Sequence, residues 1–541
     1  MTMKKLIILT ALLLTILYMF TLTACSQRAS AEEIVLPPPE QILTFSVTSL
    51  PTIDPQRASS DSSYIVIKGF AEGLISLSNG EIYPGVAVSW SYSADNWTWT
   101  FNLRRDASWS DGVPLTAHDF MFAFYRLFDP ENEFENRPFL NKILHGYEVI
   151  NGELPVEALG VSAPDAYTFV IRLNTPAPYF IYALDKPIFY PARRDFVERF
   201  GELFATAEDK IIGNGPFIIE EYLSDRRIRL IPNENYWNRE DITLEEVTIL
   251  VLDADSALSA FRRGELDMIN IPLSQTSEFL SGESRFMTSP VKPFKTGGIE
   301  WLNINTTSEE NIILTSRYFR RALNFALDRE ALVYEATDSV HLPLMRAVHP
   351  NLTGFYEGYP IDVLTIEPDI ERARAYLVAA MDETLIANAV DVYISIRIPD
   401  NQAARRIAEY LKNEWERILG INVDVLSLSS NALLVAMQNR DFDLILEAVY
   451  PDFNDPYAFL GRFTGQFDNP RFDMLILNAN AAAQQFVRFA LFSEAEYILL
   501  DESAVIPLLT RQRAWAMRPT LRNFDRFYYG ARSDFRFSFF E

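Results

Sequence analysis

Between Asp391 and Leu446 the sequence alternates between two hydrophobic periods, and this feature constrains the fold more than any other. Apolar residues first alternate with others as in a β-strand and then recur at helical spacing up to Gly420. Both patterns follow once more before a last apolar run. The succession strand, helix, strand, helix, strand predicts an α/β domain whose binding edge lies at the strand ends. The residues that carry the pattern are Val392, Ile394, Ile396, Ala404, Ile407, Ala408, Leu411, Trp415, Ile418, Ile421, Val423, Val425, Leu433, Leu434, Met437 and the run from Phe442 to Leu446.

Length and charge narrow the class of protein further. The chain has 541 residues, of which 48% are hydrophobic, and at roughly 100 to 200 residues per domain this predicts several domains with buried cores. Disordered and fibrous chains are excluded. A formal net charge of -25 repels a phosphate backbone, and no Lys/Arg-rich run supplies a basic patch, so nucleic acid is not expected as a partner. An aromatic share of 13% suits a large, wet cleft.

The N-terminus has the layout of an export signal. Two positive charges, Lys4 and Lys5, precede an apolar run from Leu6 to Phe20. Cys25 follows it and is the only cysteine of the chain, which excludes an internal disulfide framework and a zinc site built on paired thiolates.

The segment Leu22–Cys25 resembles the bacterial lipobox, at which a peptidase cuts before the cysteine and the sulfur then carries diacylglycerol. We therefore predict a lipoprotein signal peptide at 1–24 and a lipidated tether at 25–42. An uncleaved transmembrane anchor is the alternative, because the stretch from Leu6 to Ala24 is just long enough to span a bilayer of roughly 30 Å. Both place the bulk of the chain outside the cytoplasm.

Three internal segments give local predictions. The alternation from Trp97 to Leu103 predicts a strand, and Thr116 is the expected N-cap of the helix that follows. The glycines of Gly213–Pro216 allow a sharp turn with positive φ. Arg317 to Ala331 is predicted as one helix with a buried and an outer face. The residues predicted on the buried face are Phe319, Ala322, Leu323 and Ala326, and those on the outer face are Arg320, Arg321, Asp328 and Arg329. The tryptophans expected in the core rather than in a stacking platform are Trp97, Trp99 and Trp109.

Short motifs follow one another along the chain at Ile53–Pro55, Phe70–Leu74, Pro84–Ala87, Trp97–Arg104, Trp109–Gly112, Thr116–Phe120, Gly213–Phe217, Asn235–Trp237, Arg263–Asp267, Asn305–Thr306, Arg320–Arg329, Asp452–Pro456 and Phe459–Leu460. Together they resemble the family 5 extracellular solute-binding proteins, the receptors of oligopeptide, dipeptide and nickel ABC importers. The resemblance spans about Ile42 to the C-terminus, and within the family it is closest to the oligopeptide receptors.

This resemblance implies an α/β fold of three domains, a periplasmic-binding-protein-like clamshell of class II type with an extra domain. Domain I is discontinuous in the family. The boundaries carried onto this chain are 43–57, 206–298 and 506–541 for domain I, 58–205 for domain II and 299–505 for domain III.

The resemblance also implies a binding site for an extended peptide, held by backbone hydrogen bonds to protein strands. Asp452 would pair with the α-ammonium group, although on the residues alone it fits equally well as a turn residue before Asp455–Pro456. Pro451 has no amide hydrogen to donate, so one main-chain bond of the family is expected to be missing. The ligand-binding residues implied are Asp452, Tyr450, Val449, Pro451, Trp301, Gly297, Gly298 and Asn303.

The implied function is an extracytoplasmic receptor that captures oligopeptides by domain closure and delivers them to an ABC transporter permease. It would act as a monomer, without cofactor or metal, anchored through Cys25 on the periplasmic or extracellular face of the membrane. A receptor for an oligosaccharide or another elongated solute, and a ligand sensor of the same fold, stay open as alternatives. A secreted hydrolase and a nickel or haem receptor are less favoured, because the chain has four histidines without HExxH or paired metal spacing and no GxSxG elbow.

Overall fold

The computed structural model describes residues 40–78, 81–93, 97–132, 134, 142–271, 292–337, 340–352, 355, 363–451, 453–482, 484–526 and 533–541. The predicted signal peptide, Cys25 and most of the tether lie outside the described residues. Within these ranges no helix combines the length and the apolar character needed to cross a bilayer.

The chain mixes strands and helices along its whole described length. The strands are β1 (Ile42–Val47), β2 (Ile75–Ser78), β3 (Glu81–Pro84), β4 (Ala87–Tyr92), β5 (Thr98–Leu103), β6 (Val161–Asp165), β7 (Thr168–Arg172), β8 (Phe217–Leu223), β9 (Arg227–Pro232), β10 (Glu246–Val251), β11 (Met268–Ile271), β12 (Lys292–Ile304), β13 (Leu342–Pro343), β14 (Tyr393–Pro399), β15 (Asn422–Leu428), β16 (Leu444–Val449), β17 (Val505–Met517), β18 (Leu521–Arg522), β19 (Asp525–Arg526), β20 (Ser533–Asp534) and β21 (Phe539–Phe540). The α-helices are α1 (Asp61–Phe70), α2 (Ala117–Phe128), α3 (Gly146–Ile150), α4 (Phe180–Ala183), α5 (Arg194–Phe200), α6 (Ala254–Arg262), α7 (Arg317–Phe325), α8 (Arg329–Ala336), α9 (Ile370–Thr384), α10 (Gln402–Leu419), α11 (Ser430–Asn439), α12 (Tyr457–Leu460), α13 (Pro470–Ala481) and α14 (Gln485–Asp501). Short 3-10 helices lie at Val156–Ala158, Pro187–Phe189, Gly201–Leu203, Glu208–Lys210, Arg239–Asp241, Ile312–Thr315, Ala389–Asp391 and Gly461–Phe463.

An 11-stranded sheet runs in the order β15-β14-β16-β12-β17-β11-β1-β10-β9-β8, with β13 added on β17. β14 is parallel to both β15 and β16, and β1 is parallel to β10. Between these two halves lie β12 and β17, which are antiparallel and 13 residues long each. The two long strands therefore join the halves of the sheet.

The α/β unit predicted between Asp391 and Leu446 is confirmed as β14, α10, β15, α11 and β16. Gly420 ends α10 with a φ of 71°, a left-handed conformation that glycine adopts without a Cβ penalty. The prediction succeeds here because each strand and helix buries one face, so its period is visible in the sequence.

The helix predicted from Arg317 to Ala331 is wrong as a single element, because α7 ends at Phe325 and α8 begins at Arg329. The break precedes Asp328. Its side chain accepts a hydrogen bond of 2.8 Å from the Ala331 amide and so caps α8. A capping aspartate competes with helix continuation, which a count of apolar residues does not register.

Arg320 and Arg329 were expected on the outer face, and this is also wrong, since they are 4% and 0% exposed. Main-chain carbonyl oxygens accept three hydrogen bonds from each of the two guanidinium groups. Those of Arg320 go to Leu314 at 2.9 Å, Thr315 at 2.8 Å and Glu502 at 3.0 Å. Buried cations of this kind are tolerated because their donors are satisfied.

Gly213 and Gly215 are required for close backbone approach rather than for positive φ, which neither of them adopts. A Cβ on Gly213 would lie 1.9 Å from the Phe70 carbonyl oxygen, and one on Gly215 would lie 2.5 Å from the Ala71 nitrogen. The Gly215 amide donates a hydrogen bond of 2.8 Å to Phe70. The turn thus packs directly onto the end of α1.

The expected burial of the tryptophans holds for Trp99 and Trp109, at 3% and 1% exposure, but not for Trp97, which is 41% exposed. Trp97 precedes β5, so the alternation of that strand does not determine its side chain. Thr116 is the N-cap of α2, as predicted, and its amide donates to the Asp119 carboxylate at 2.8 Å.

Buried apolar side chains form several cores. The first core combines β1, α1 and the 4-stranded sheet β4-β5-β7-β6 with β8 to β10. The second core packs α7 to α10 onto β14 to β16, and the third core packs α12 to α14 onto the other face of β12 and β16. The boundary predicted at 298/299 falls inside β12. The division into three domains stays a prediction.

Candidate functional site

Three strands meet at Ile299 in the middle of the large sheet. Ile299 pairs with Val449 of β16 on one side and with Thr510 of β17 on the other. Val449 is the last residue of β16, and the register of β12 against β17 shifts between Lys295 and Ile299. At Ile299, therefore, the pairing of β12 with β16 stops on one edge, and its pairing with β17 changes register on the other edge.

Five of the predicted ligand-binding residues gather there. Gly297 and Gly298 precede the Ile299 pair on β12, Val449 ends β16, and Tyr450 and Pro451 follow it. Continuing the antiparallel register would set Gly298 opposite Tyr450 and Gly297 opposite Pro451. An extended chain can be added to strands at such a position through main-chain hydrogen bonds.

The other two described residues of the predicted set are placed differently. Trp301 is 0% exposed, and its indole Nε1 donates to a Glu447 Oε2 atom at 3.1 Å. Its ring lies 5.2 Å from that of Phe463 in the third core. Asn303 is half-buried and lies five positions beyond Gly298, a distance of about 17 Å along a strand. Their part in ligand binding stays a prediction.

A polar cluster of Glu300, Arg511 and Tyr450 lies beside the end of β16. Arg511 donates from Nη2 to the Glu300 Oε1 atom at 2.9 Å and from Nη1 to the Tyr450 hydroxyl at 2.7 Å. Glu300 is 4% exposed, whereas the Arg511 side chain is 25% exposed. Burial raises the pKa of Glu300, and the guanidinium of Arg511 opposes this rise. The cluster fixes the Tyr450 ring and leaves part of one cation accessible.

His341 lies next to this cluster. Its Nδ1 accepts a hydrogen bond of 3.2 Å from the Gln512 amide. Burial, and to a lesser degree the charge of Arg511, lowers the pKa of His341 to about 4, so the imidazole is neutral at pH 7. It therefore adds a hydrogen-bonding group to the region without adding charge.

The sequence did not point to Glu300, Arg511 or His341. They come from separate parts of the chain, and no motif links them. The one signal available was Glu300 itself, an acidic residue between Ile299 and Trp301 in an otherwise apolar strand segment. A buried carboxylate in such a position requires a partner, although the sequence does not say which one.

Asp452 lies outside the described residues, but the segment after it is described. Asp455 is 3% exposed and forms a bidentate ion pair with Arg488, with oxygen-to-nitrogen distances of 2.5 and 3.1 Å. Its Oδ1 also accepts a hydrogen bond of 3.0 Å from the Tyr457 amide. The turn after Asp452 is thus capped by Asp455 and anchored to α14.

Solved structures share this fold. The chain matches a periplasmic murein tripeptide binding protein, MppA, in an unliganded open form with a TM-score of 0.80, at 24% identity over 93% of this chain and 97% of that one. It matches OppA of Haemophilus influenzae in complex with RPPGFSPFR with a TM-score of 0.71, at 22% identity over 93% of this chain and 100% of that one. The chain therefore has the same fold as these binding proteins.

The sequence places the chain within this class. The family described as "Bacterial extracellular solute-binding proteins, family 5 Middle" matches residues 81–471. The chain belongs to this family, as its motifs predicted. One relative, the oligopeptide-binding protein OppA of Bacillus subtilis (strain 168), is 28% identical over 486 residues, which cover 87% of each chain.

Proposed function

We propose that the protein captures extended oligopeptides outside the cytoplasm by domain closure and delivers them to the permease of an ABC transporter. Membership of a solute-binding family supports a receptor role, and the Bacillus subtilis relative is named for oligopeptide binding. The observation that carries the proposal is that β16 ends at Val449, opposite Ile299 in the interior of β12, so its ladder with β12 stops there. An extended peptide can continue that ladder whatever its side chains are.

Each predicted residue has a role in this account. Asp452 pairs with the α-ammonium group of the peptide, and the backbones of Gly297, Gly298 and Val449 supply main-chain hydrogen bonds. Pro451 contributes only its carbonyl oxygen, because proline has no amide hydrogen. Tyr450, held by Arg511, lines the wall beside the peptide. Trp301 and Asn303 keep their predicted part in ligand binding, from positions further along β12.

Closure requires a connection that bends, and β12 and β17 are suited to it. Both strands run from one half of the sheet to the other, and their mutual register shifts between Lys295 and Ile299. We assign 43–57, 206–298 and 506–541 to domain I and 299–505 to domain III, with domain II at 58–205. Rotation of domain III about this irregularity would enclose the peptide.

The receptor is proposed to be a monomer that binds peptides without hydrolysing them and is held at the membrane by lipid on Cys25. Replacing Cys25 with alanine is expected to abolish incorporation of labelled fatty acid in cells, since its sulfur is the attachment atom. Labelling of the immunoprecipitated protein measures this, with Ser26→Ala as the matched control. Undiminished labelling of the Cys25→Ala protein would contradict the lipid anchor.

The substrate class is tested by identifying what the protein carries. Protein from Ser26 onward, purified without refolding, is expected to release peptides on denaturation, because an enclosed site retains its ligand during purification. Mass spectrometry of the released material measures their length and sequence. A sugar or a metal chelate in their place would contradict the proposal.

A further inference from the structure

Tyr179, just before α4, stacks on two aromatic rings from a distant part of the chain. Its ring centroid lies 4.7 Å from that of Phe453 at an interplanar angle of 11°, and 4.6 Å from that of Tyr457 at 21°. Tyr179 is 0% exposed and Phe453 is 5% exposed. Aromatic pairs at these distances contribute more than the burial of their area alone. The contact is therefore a specific one.

The segment 453–457 joins two cores through this contact. Phe453 is a buried member of the first core, whereas Val449 before it and Phe459 after it belong to the third core. Among the described residues between 299 and 505, it is the one buried side chain assigned to the first core. Tyr457 packs against both cores, and the Lys142 ammonium lies 5.5 Å from its ring centroid.

The same segment is held on its other side by its own part of the chain. Asp455 and Arg488 form the buried ion pair described above, and the Arg488 Nε donates to the Ala479 carbonyl oxygen at 3.0 Å. The segment is thus fixed between Arg488 on α14 and Tyr179. Asp452 directly precedes it in the sequence.

We propose that Tyr179 is a positioning residue for ligand recognition. By holding Phe453 and Tyr457, it fixes the segment that follows Asp452 and so sets where that carboxylate meets the peptide's N-terminus. The contact joins predicted domain II to predicted domain III, so it also holds these two domains together. This inference rests on the proposed function and adds a residue that no peptide needs to touch.

The test compares a mixed-sequence tetrapeptide library with the same library N-acetylated, by calorimetric titration. Tyr179→Leu keeps an apolar side chain at this position and removes both ring contacts. We expect it to weaken binding of the free library about tenfold, as loss of stacking allows, and to change binding of the acetylated library by less than about twofold. Tyr179→Phe should restore the wild-type ratio, because it keeps the ring.

Phe169→Leu is the matched control, since Phe169 is a buried ring of the first core whose ring packs against Phe120 and Phe124 on α2. It should leave the ratio between the libraries unchanged. If Tyr179→Leu weakens both libraries by the same factor, or neither, Tyr179 has no positioning role.

A double variant separates this inference from the function beneath it. In an Asp452→Ala background, Tyr179→Leu should cost little further affinity, because residues that act through one another are not additive. Additive losses would contradict the inference alone. If the wild-type protein binds both libraries equally well, Asp452 does not recognise the peptide's N-terminus, and the positioning role of Tyr179 is contradicted as well.

Discussion

Replacing Asp452 with alanine is expected to weaken the binding of peptides with a free N-terminus at least tenfold. A charge-assisted hydrogen bond to an ammonium group in an enclosed site contributes about 1.5–3 kcal/mol, and about 1.4 kcal/mol corresponds to a factor of ten. The affinity is measured by calorimetric titration with the free tetrapeptide library. The loss should appear mainly as faster dissociation, since the encounter with the open cleft is unaffected.

The matched control is Asp382→Ala, which removes an equal charge from an exposed position of α9. Its affinity should equal that of the wild-type protein. Asp452→Asn should fall between the two, because the amide keeps a hydrogen-bond acceptor and loses the charge. Unchanged affinity of Asp452→Ala would show that the peptide's N-terminus binds elsewhere.

Replacing Arg329 with methionine is expected to lower the free energy of unfolding by about 3 kcal/mol or more, since each lost hydrogen bond from a charged donor contributes about 1.5–3 kcal/mol. The guanidinium is 0% exposed and binds three carbonyl oxygens, those of Leu344, Thr365 and Pro507, at 2.9 to 3.1 Å. It also donates to the Asn324 side chain at 2.6 Å. Methionine fills similar space and leaves these acceptors buried without donors.

Burial lowers the pKa of Arg329 to about 9. The guanidinium is still protonated at pH 7, the pH at which the wild-type and variant proteins are compared. Urea unfolding followed by circular dichroism measures the effect. The control is Arg417→Met, whose side chain is 60% exposed beside Glu414, and its unfolding free energy should change by less than about 0.5 kcal/mol. Equal behaviour of the two variants would contradict the role given to Arg329.

The buried arginines also mark where sequence patterns stop being informative. The helical spacing of apolar residues shows which face of a helix is buried, and it correctly predicted that Phe319 and Leu323 lie in the core. The same spacing wrongly predicted Arg329 at the surface. The carbonyl groups that bind this side chain belong to Leu344, Thr365 and Pro507, which only the folded chain brings close to it. Arg329 is part of the motif Arg320–Arg329, but the resemblance to the family does not show that its side chain binds these three segments.

The same contrast holds at the candidate site. The α/β alternation between Asp391 and Leu446 was predictable, because every element there buries one face. The proximity of Gly297–Gly298 to Val449–Pro451 followed from the family resemblance, and the pairing of Ile299 with Val449 gives it a physical basis. The cluster around Arg511 was not predictable, since pairing of β12 with β17 brings Glu300 and Arg511 together across the sequence.

Identification of the co-purifying ligand tests the central claim most directly. Protein from Ser26 onward is compared with its Asp452→Ala variant, both purified without refolding and denatured before mass spectrometry. The wild-type protein should release a ladder of peptides with free N-termini, and the variant should release at least tenfold less of it. Release of a sugar or a metal chelate, or of equal amounts of N-terminally blocked peptides by both proteins, would contradict the account.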